Sequence, residues 1–323
     1  MSRDSLERHQ IPIYFLAVIL AALLGLALPS AGAGLEPWVT PAIAVLMYAM
    51  FLQIPFLHLR EGLASRPFVA ALLLANFVLV PLLVWGLTRT LSDQPAILAG
   101  ALLVLLTPCI DYVVVFTHLG KGDSRLMLAA TPILLLLQMV LLPLYLGLML
   151  GGASGVVVAA GPFVEAFLAL IVAPLVLALL TESLAGRSAL VSRWTALWAW
   201  LPVPAMALVL VVVVGSQIAA VVADLERLLP VVPVYLGFLL LAPPLGALAA
   251  RLFKLPAGPA RAVTFSASTR NSLVVLPLAL ALPEDIRGLA AAAVITQTLV
   301  ELVGELIYIR AIPALVGRGR SAA

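Results

Sequence analysis

A helix breaker, the chain's single cysteine and a carboxylate lie within four positions of an otherwise apolar stretch. The residues are Pro108, Cys109 and Asp111, and Thr107 comes directly before them. A carboxylate at membrane depth is costly unless it is paired or hydrated, so such a residue indicates a functional site. A proline inside a helix removes a backbone donor and opens the helix, which a protein-lined cavity tolerates and lipid does not. The stretch therefore predicts one half of a solute-binding site within a membrane, with Pro108 as the helix break.

A second polar stretch lies about half the chain away, at 264–272. It contains hydroxyl and amide side chains with only two apolar residues among them, and it holds Arg270, a cation within a long apolar run. Small polar side chains at this depth satisfy opened backbone or coordinate an ion. Interrupted helices at corresponding positions of two halves point to the binding site of a transporter. We therefore expect this stretch to complete the site that begins at Pro108.

The residue types suggest substrate-binding roles for Cys109, Asp111, Arg270 and Asn271. A cysteine thiolate is a ligand for a soft metalloid, although most buried cysteines act as small apolar side chains. The aspartate is suited to a proton or a cation, and the arginine to an anionic group. The alternative for this pair is a structural salt bridge that holds two helices together.

Ion coupling would use oxygen-bearing side chains near the same point. The candidates are Thr107, Asp111, Ser268, Thr269, Ser272 and Glu301. Glu301 lies one helical turn from both Gln297 and Glu305, so we expect all three to share a face that points into protein rather than lipid. Ordinary interhelical hydrogen bonds are the alternative role. The sequence predicts no resident metal and no cofactor, because it has one cysteine and its three histidines lie at the ends of apolar runs.

Composition places the chain in a membrane. Hydrophobic residues make up 64% of the sequence, charged residues 10%, and the mean hydropathy is +1.20. Soluble domains average roughly 45–50% apolar and about 25% charged residues, so this chain has too little polar surface for a water-soluble globule. The net charge of +3 therefore reflects orientation in the membrane rather than nucleic-acid binding.

Ten apolar runs are each near or above the roughly 20 residues that cross a bilayer as a helix. They are 11–29, 38–57, 68–88, 95–118, 126–150, 156–181, 194–220, 228–250, 259–282 and 288–313. With a cytoplasmic N-terminus, the outside loops hold only Arg89, Arg227 and Arg287 as basic residues. This asymmetry obeys the positive-inside rule and predicts an inner (plasma) membrane protein with ten spans and both termini cytoplasmic.

A short uncharged loop at 151–155 divides the ten runs into two sets of five. Because five is odd, the second set enters the membrane from the opposite side, which is the geometry of inverted repeats in secondary transporters. We therefore predict an all-α polytopic membrane protein. Its first five-helix repeat occupies 1–150, the outside linker 151–155 and the second repeat 156–323.

The two polar stretches resemble the bile acid:sodium symporter superfamily, and within it the arsenical-resistance permeases and the short bacterial arsenic resistance proteins. The resemblance rests on Thr107-Pro-Cys109 followed by Leu119-Gly-Lys-Gly-Asp123, and on Thr264-Phe-Ser-Ala-Ser268 with Asn271. It implies ten helices in two inverted five-helix repeats, with broken fourth and ninth helices that cross at the centre. In the arsenite exporters the cysteine after the proline is tied to metalloid transport, and Cys109 matches it. Their acidic residue in the ninth helix has no match, because Thr269-Arg-Asn-Ser272 holds no carboxylate.

These features predict a secondary active transporter coupled to H⁺ or Na⁺ that resembles arsenite and antimonite efflux permeases. A sodium-coupled organic anion symporter is the alternative, and an intramembrane enzyme or a channel is a remote one. The sequence lacks the His-Glu-x-x-His, Gly-x-Ser-x-Gly and nucleotide-binding motifs and a repeated carbonyl filter, so we expect no enzyme activity. The expected partners are a small anion or metalloid and the lipid bilayer, without nucleic acid, around a monomer or a homodimer.

Overall fold

The computed structural model describes residues 6, 9–53, 65–110, 112–150, 165 and 168–317. Within these ranges the chain is helical, with one isolated backbone bridge between Pro108 and Arg270. In chain order the helices are α1 (Gln10–Ala27), α2 (Pro29–Ala33), α3 (Glu36–Phe51), α4 (Arg66–Leu91), α5 (Pro95–Leu105), α6 (Val113–Leu119), α7 (Ser124–Leu150), α8 (Ala173–Ala185), α9 (Ala189–Trp198), α10 (Pro202–Ala223), α11 (Leu225–Leu228), α12 (Val231–Leu252), α13 (Ala257–Ser268), α14 (Ser272–Leu280) and α15 (Glu284–Val316).

Several of these helices have the length and apolar character of membrane spans. In the described part of the chain, four are long and apolar enough to cross a membrane by length and composition, and three more apolar helices are shorter. The long ones are Arg66–Leu91, Ser124–Leu150, Pro202–Ala223 and Leu225–Leu252, the last of which takes α11 and α12 together, and the short ones are Pro12–Ala27, Pro95–Leu105 and Ala173–Ala185. The protein is therefore a multi-pass membrane protein that is helical in its described residues, as predicted.

The predicted span at 194–220 begins too early. The structure ends α9 at Trp198 and starts α10 at Pro202. A proline in the first helical turn needs no hydrogen-bonded N–H and is preset for helix, whereas inside a helix it breaks the ladder. Pro202 and Pro204 therefore start a new helix instead of continuing the previous one. Positions 54–57 of the second predicted span and 156–164 of the sixth lie outside the described residues.

Contacts divide the chain into two units. The first comprises Met1–Gln53, Val158–Glu226 and Leu280–Gly288, and the second comprises Ile54–Val157, Arg227–Ala279 and Leu289–Ala323. Each unit takes segments from both predicted sequence halves. The two units therefore do not correspond to the two predicted repeats, which divide the chain at a single point along the sequence.

A chain of polar contacts links α3, α8 and α9 in the first unit. The indole N–H of Trp194 donates to the Tyr48 hydroxyl, which lies 2.9 Å from Oγ1 of Thr181. Because the Thr181 hydroxyl donates to the Leu177 carbonyl, Tyr48 is the donor to Thr181. Trp198 packs edge-on against the Tyr48 ring, with centroids 4.7 Å apart. This unit therefore has an internal polar network of its own.

Tyrosine hydroxyls satisfy carbonyls that prolines leave open in the second unit. Pro81 in α4 cannot donate to Phe77, and the Tyr145 hydroxyl of α7 donates to that carbonyl at 2.6 Å. Pro243 in α12 likewise leaves Leu239 open, and the Tyr308 hydroxyl of α15 donates there at 2.6 Å. An unsatisfied carbonyl is costly in an apolar surrounding, so these contacts fix the helix pairs α4–α7 and α12–α15.

Candidate functional site

The two polar stretches pair through their backbones at the breaks between α5 and α6 and between α13 and α14. The N–H of Asn271 donates to the Thr107 carbonyl at 2.9 Å, and the N–H of Cys109 donates to the Thr269 carbonyl at 3.1 Å. Pro108 and Arg270 face each other in this antiparallel bridge. A broken helix in a membrane must find other partners for its backbone groups. Each break here supplies partners for the other.

Hydroxyl side chains shape the two helix ends that lead into the breaks. Thr107 donates to the Leu103 carbonyl, and Ser268 donates to the Thr264 carbonyl, both at 2.8 Å and both four residues back. The Leu103 carbonyl lies in the last turn of α5, where intrahelical donors are lacking, so the Thr107 back-bond satisfies a group that the break leaves open. The Ser268 back-bond adds a second donor to the Thr264 carbonyl in α13. After Ser268 the chain becomes extended at Thr269, with φ −104° and ψ 128°.

Arg270 lies fully buried beside the bridge, and its guanidinium hydrogen-bonds to neutral oxygens. Nη2 donates to Oδ1 of Asn76 at 2.9 Å and to the Ser266 carbonyl at 2.5 Å, and Nη1 lies 3.5 Å from the Leu105 carbonyl. The Phe238 ring stacks on the guanidinium, with its centroid 5.4 Å from Cζ. Leu105 ends α5 and Ser266 lies in the last turn of α13, where the helix dipole is negative. The arginine thus caps two half-helices.

A π-helical turn in α4 positions Asn76 for this contact. The turn spans Ala75–Leu79, just before Pro81, and such bulges often occur at functional sites. Besides accepting from Arg270, Asn76 donates through Nδ2 to Oγ of Ser266 at 2.9 Å and to the Leu72 carbonyl at 3.1 Å. Asn76 is not among the site residues that the sequence predicts. The signal for its role was an amide in an apolar run close to a proline.

Glu301 in α15 holds both breaks from one side. Its Oε1 accepts from the Tyr112 hydroxyl at 2.6 Å, and its Oε2 accepts from the backbone N–H of Arg270 at 2.9 Å and from Nε2 of Gln297. The same Tyr112 hydroxyl lies 2.8 Å from the Arg270 carbonyl. Since a hydroxyl carries one proton, Tyr112 shares it between two acceptors. The predicted common face of Gln297, Glu301 and Glu305 does point into protein, because all three are buried.

Glu305 lies one turn further along α15 and is fully buried. Its Oε1 is 2.6 Å from Oγ1 of Thr269, and that hydroxyl is also 2.8 Å from the Phe265 carbonyl. The other carboxyl oxygen, Oε2, has no hydrogen-bond partner. The Thr269 hydroxyl has one proton for two acceptors, the Phe265 carbonyl and Glu305 Oε1. When that proton goes to Phe265, the contact between Thr269 and Glu305 needs a proton on the carboxyl group.

Buried polar atoms without a partner concentrate near the bridge. In the described part of the chain they include Arg270 Nε, Asn271 Nδ2, Ser272 Oγ, Gln297 Oε1 and Glu305 Oε2. Buried polar groups in folded proteins nearly always have partners, so such a cluster indicates a place where a ligand or an ion can bind. A small cavity of about 10 Å³, with room for roughly one water molecule, lies nearby, and Ser268, Gln297, Glu301 and Tyr308 are among its lining residues. The site thus combines unpaired polar groups with a small cavity.

The structure brings most of the predicted site residues together. Those buried at the paired breaks are Thr107, Pro108, Cys109, Ser268, Thr269, Arg270, Asn271, Ser272 and Glu301. Asp111 lies outside the described residues, so its pairing with Arg270 stays a prediction. Within the described ranges, no group of three or more His, Cys, Asp or Glu side chains is arranged to hold a metal ion. Sequence reasoning missed Tyr112 as a ligand of Glu301.

Comparison with known proteins and the geometry of the paired helix breaks both point to a transporter. Residues 40–224 match the model of the Sodium Bile acid symporter family, which is more than half of the chain. A relative from Bacillus subtilis (strain 168), described as "Uncharacterized sodium-dependent transporter YocS", is 30% identical over 128 residues. That alignment covers 39% of this chain and 40% of the relative, so the chain spans well under two thirds of the relative's length. On the extent of the family match, the chain belongs to the sodium bile acid symporter family.

Proposed function

We propose that this protein is a secondary active transporter of the plasma membrane that alternates access to a site at the paired helix breaks. The observation that carries the proposal is the backbone bridge of Thr107 and Cys109 with Asn271 and Thr269, surrounded by buried polar atoms that lack partners. Broken helices at membrane depth occur in transporters where they line a binding site.

We further propose the ten-span inverted repeat, with both termini cytoplasmic. In this topology α4 and α7 are the third and fifth spans, and α12 and α15 are the eighth and tenth. The proline-opened carbonyls support the repeat, because Pro81 with Tyr145 and Pro243 with Tyr308 join corresponding spans in the two halves. The number of residues from Pro81 to Pro243 equals that from Tyr145 to Tyr308 to within one residue.

The bridge obeys the same correspondence. The interval that takes Pro81 to Pro243 also takes Thr107 to Thr269 and Cys109 to Asn271. The two backbone hydrogen bonds of the bridge are therefore exchanged by one pseudo-two-fold operation. In this topology α5 with α6 forms the fourth span and α13 with α14 the ninth. A symmetric crossing of this kind supports an alternating-access mechanism.

Proton coupling through Glu301 and Glu305 is the coupling that the geometry favours over sodium. Both carboxyls contact a hydroxyl that also faces a carbonyl oxygen, so each contact has room for an additional proton. Acidic side chains buried in transporters act as proton relays. Sodium would instead be held by oxygens such as those of Thr107, Ser268 and Ser272.

The proposed cargo is a trivalent metalloid, arsenite or antimonite, which the protein exports. Support comes from Cys109, whose side chain is fully buried at the centre of the bridge, where a thiolate would meet a soft ligand. A sodium-coupled organic anion symporter is the second candidate. The family match and the sodium-dependent relative favour it.

A flux assay in proteoliposomes separates these candidates. Arsenite and a set of small organic anions are offered with a pH gradient, a Na⁺ gradient or neither. Metalloid export predicts saturable, pH-driven arsenite flux with counterflow, and loss of that flux in Cys109→Ser. The organic anion candidate predicts Na⁺-driven anion uptake that Cys109→Ser leaves unchanged. Non-saturable flux without counterflow for every solute would contradict a carrier of either type and favour a channel.

A further inference from the structure

We propose that the guanidinium of Arg270 is a tethered cation that takes the place of a free sodium ion at the crossing, so that the protein is indifferent to Na⁺. This inference rests on the proposed transport function and specifies its coupling. Indifference to Na⁺ would set this protein apart, because the family's model and the relative from Bacillus subtilis both carry sodium in their descriptions.

The surroundings of the guanidinium have the composition of a site for an alkali cation. The oxygens that face it are the Leu105 and Ser266 carbonyls and Oδ1 of Asn76, none of which carries a charge. Hard cations such as Na⁺ take oxygen ligands, and in transporters the carbonyls of unwound segments and the C-terminal ends of half-helices supply them. We call these three oxygens the cradle. It lies at the ends of two half-helices, as such a site requires.

Arg270 fills the cradle completely enough to exclude a second cation. Its side chain is fully buried, and two of its nitrogens contact all three cradle oxygens. The ring of Phe238 covers one face of the guanidinium, which adds a cation–π contact. A sodium ion in the same space would meet a like charge at contact distance in a region without bulk water, where repulsion is strong.

A tethered cation also explains why the paired helix breaks are held together without a bound ion. The guanidinium joins α4 through Asn76, α5 through Leu105 and α13 through Ser266. A dissociable ion would join these three helices only while it is bound. The backbone N–H of Arg270 meanwhile donates to Glu301, so the same residue connects α15. One residue therefore contacts all four helices without any bound ion, and the carboxyls are left to carry a proton.

The experiment measures thermal unfolding of the full-length protein, purified in detergent, in NaCl, KCl or choline chloride at equal ionic strength. The wild-type protein is expected to show the same Tm in all three salts. Arg270→Ala is expected to unfold at a lower temperature. Its Tm should rise by several degrees in Na⁺, and also in millimolar methylguanidinium chloride, because either cation enters the vacated cradle and stabilises the folded state by mass action. Choline should not rescue it.

Two further variants keep the test decisive. Arg270→Lys retains a tethered cation and should stay indifferent to Na⁺. Asn76→Ala removes one cradle oxygen but leaves the guanidinium, so it should be destabilised without gaining any rescue by Na⁺ or methylguanidinium. If Arg270→Ala does not survive purification, it is purified with methylguanidinium present throughout, and failure to recover it there counts against the proposal.

The inference is overturned if the wild-type protein gains a saturable, Na⁺-specific rise in Tm, or if Arg270→Ala responds to neither cation. The assay contains no substrate, so its outcome is independent of whether flux is observed. A wild-type protein that binds Na⁺ would leave the transport function standing with sodium as its coupling ion. A protein without transport activity would leave the cation measurement interpretable.

Discussion

Replacement of Glu301 by alanine should destabilise the protein far more than replacement by glutamine. Glu301 accepts hydrogen bonds from the Tyr112 hydroxyl, the Arg270 N–H and the Gln297 amide, and it is almost fully buried. Alanine leaves the Arg270 N–H and the Gln297 amide without their acceptor, whereas Tyr112 can still donate to the Arg270 carbonyl. Each unsatisfied buried group costs about 1–3 kcal/mol. Partial relaxation and entry of water reduce the sum. We expect a loss of about 3–5 kcal/mol in the free energy of unfolding.

Glutamine can keep most of the same contacts. Its oxygen can accept from the N–H of Arg270 and from Gln297, while its amide N–H₂ donates to the Tyr112 hydroxyl oxygen. Tyr112 would then give its own proton to the Arg270 carbonyl, which is already within 2.8 Å. Only the negative charge near the guanidinium is lost. We expect Glu301→Gln to lose about 1–2 kcal/mol, in the range of one hydrogen bond to a charged group.

The measurement is reversible unfolding of the purified protein in mixed micelles, followed by circular dichroism. Glu226→Ala is the matched control, because Glu226 is an exposed acid on the short helix α11 and its removal should change the free energy by about 0.5 kcal/mol or less. Near-equal losses for the alanine and glutamine variants would refute the reasoning, because Glu301 would then act through its charge rather than through three hydrogen bonds. A loss below about 1 kcal/mol in Glu301→Ala would show that these contacts do not hold the breaks together.

Two further predictions concern the packing that supports the site. Tyr308→Phe should lower the free energy of unfolding by about 1–3 kcal/mol, because it leaves the Leu239 carbonyl without a donor. Adding Pro243→Ala should recover part of that loss, since alanine restores a backbone N–H in the helix. A double-mutant cycle without positive coupling between the two positions would contradict this explanation. Gly246→Ala should lower Tm and reduce the free energy of unfolding by about 1–3 kcal/mol, because the added Cβ would lie 2.8 Å from the Cα of Thr264 in α13. Gly147→Ala is the control, since a Cβ added there meets nothing within 4 Å. Equal Tm values for the two variants would count against close packing of α12 on α13.

The sequence was sufficient to predict the membrane class, most helices and the partnership of the two breaks. Pro108 and Arg270 stand out because each interrupts a long apolar run, and their separation by about half the chain indicates a repeat. In helices that are apolar on all sides, however, periodicity does not define which face meets which neighbour. The contacts of Asn76 with Arg270, of Tyr112 with Glu301 and of Thr269 with Glu305 depend on those faces. They become visible only in three dimensions.

In the proposed inverted repeat, the two backbone hydrogen bonds of the bridge are equivalent, but the side chains around them are not. The interval along the chain that separates Thr107 from Thr269 also separates Pro108 from Arg270 and Asn76 from Phe238. One half therefore supplies a cation and an aromatic ring, and the other supplies a proline and an amide acceptor for that cation. A backbone that is nearly equivalent from both sides suits exchange between two conformations of similar energy, whereas charge concentrated in one half allows a bound proton or solute to favour one of them. The symmetric bridge is thus suited to permit the motion, and the asymmetric residues Arg270 and Glu301 are suited to couple it to chemistry.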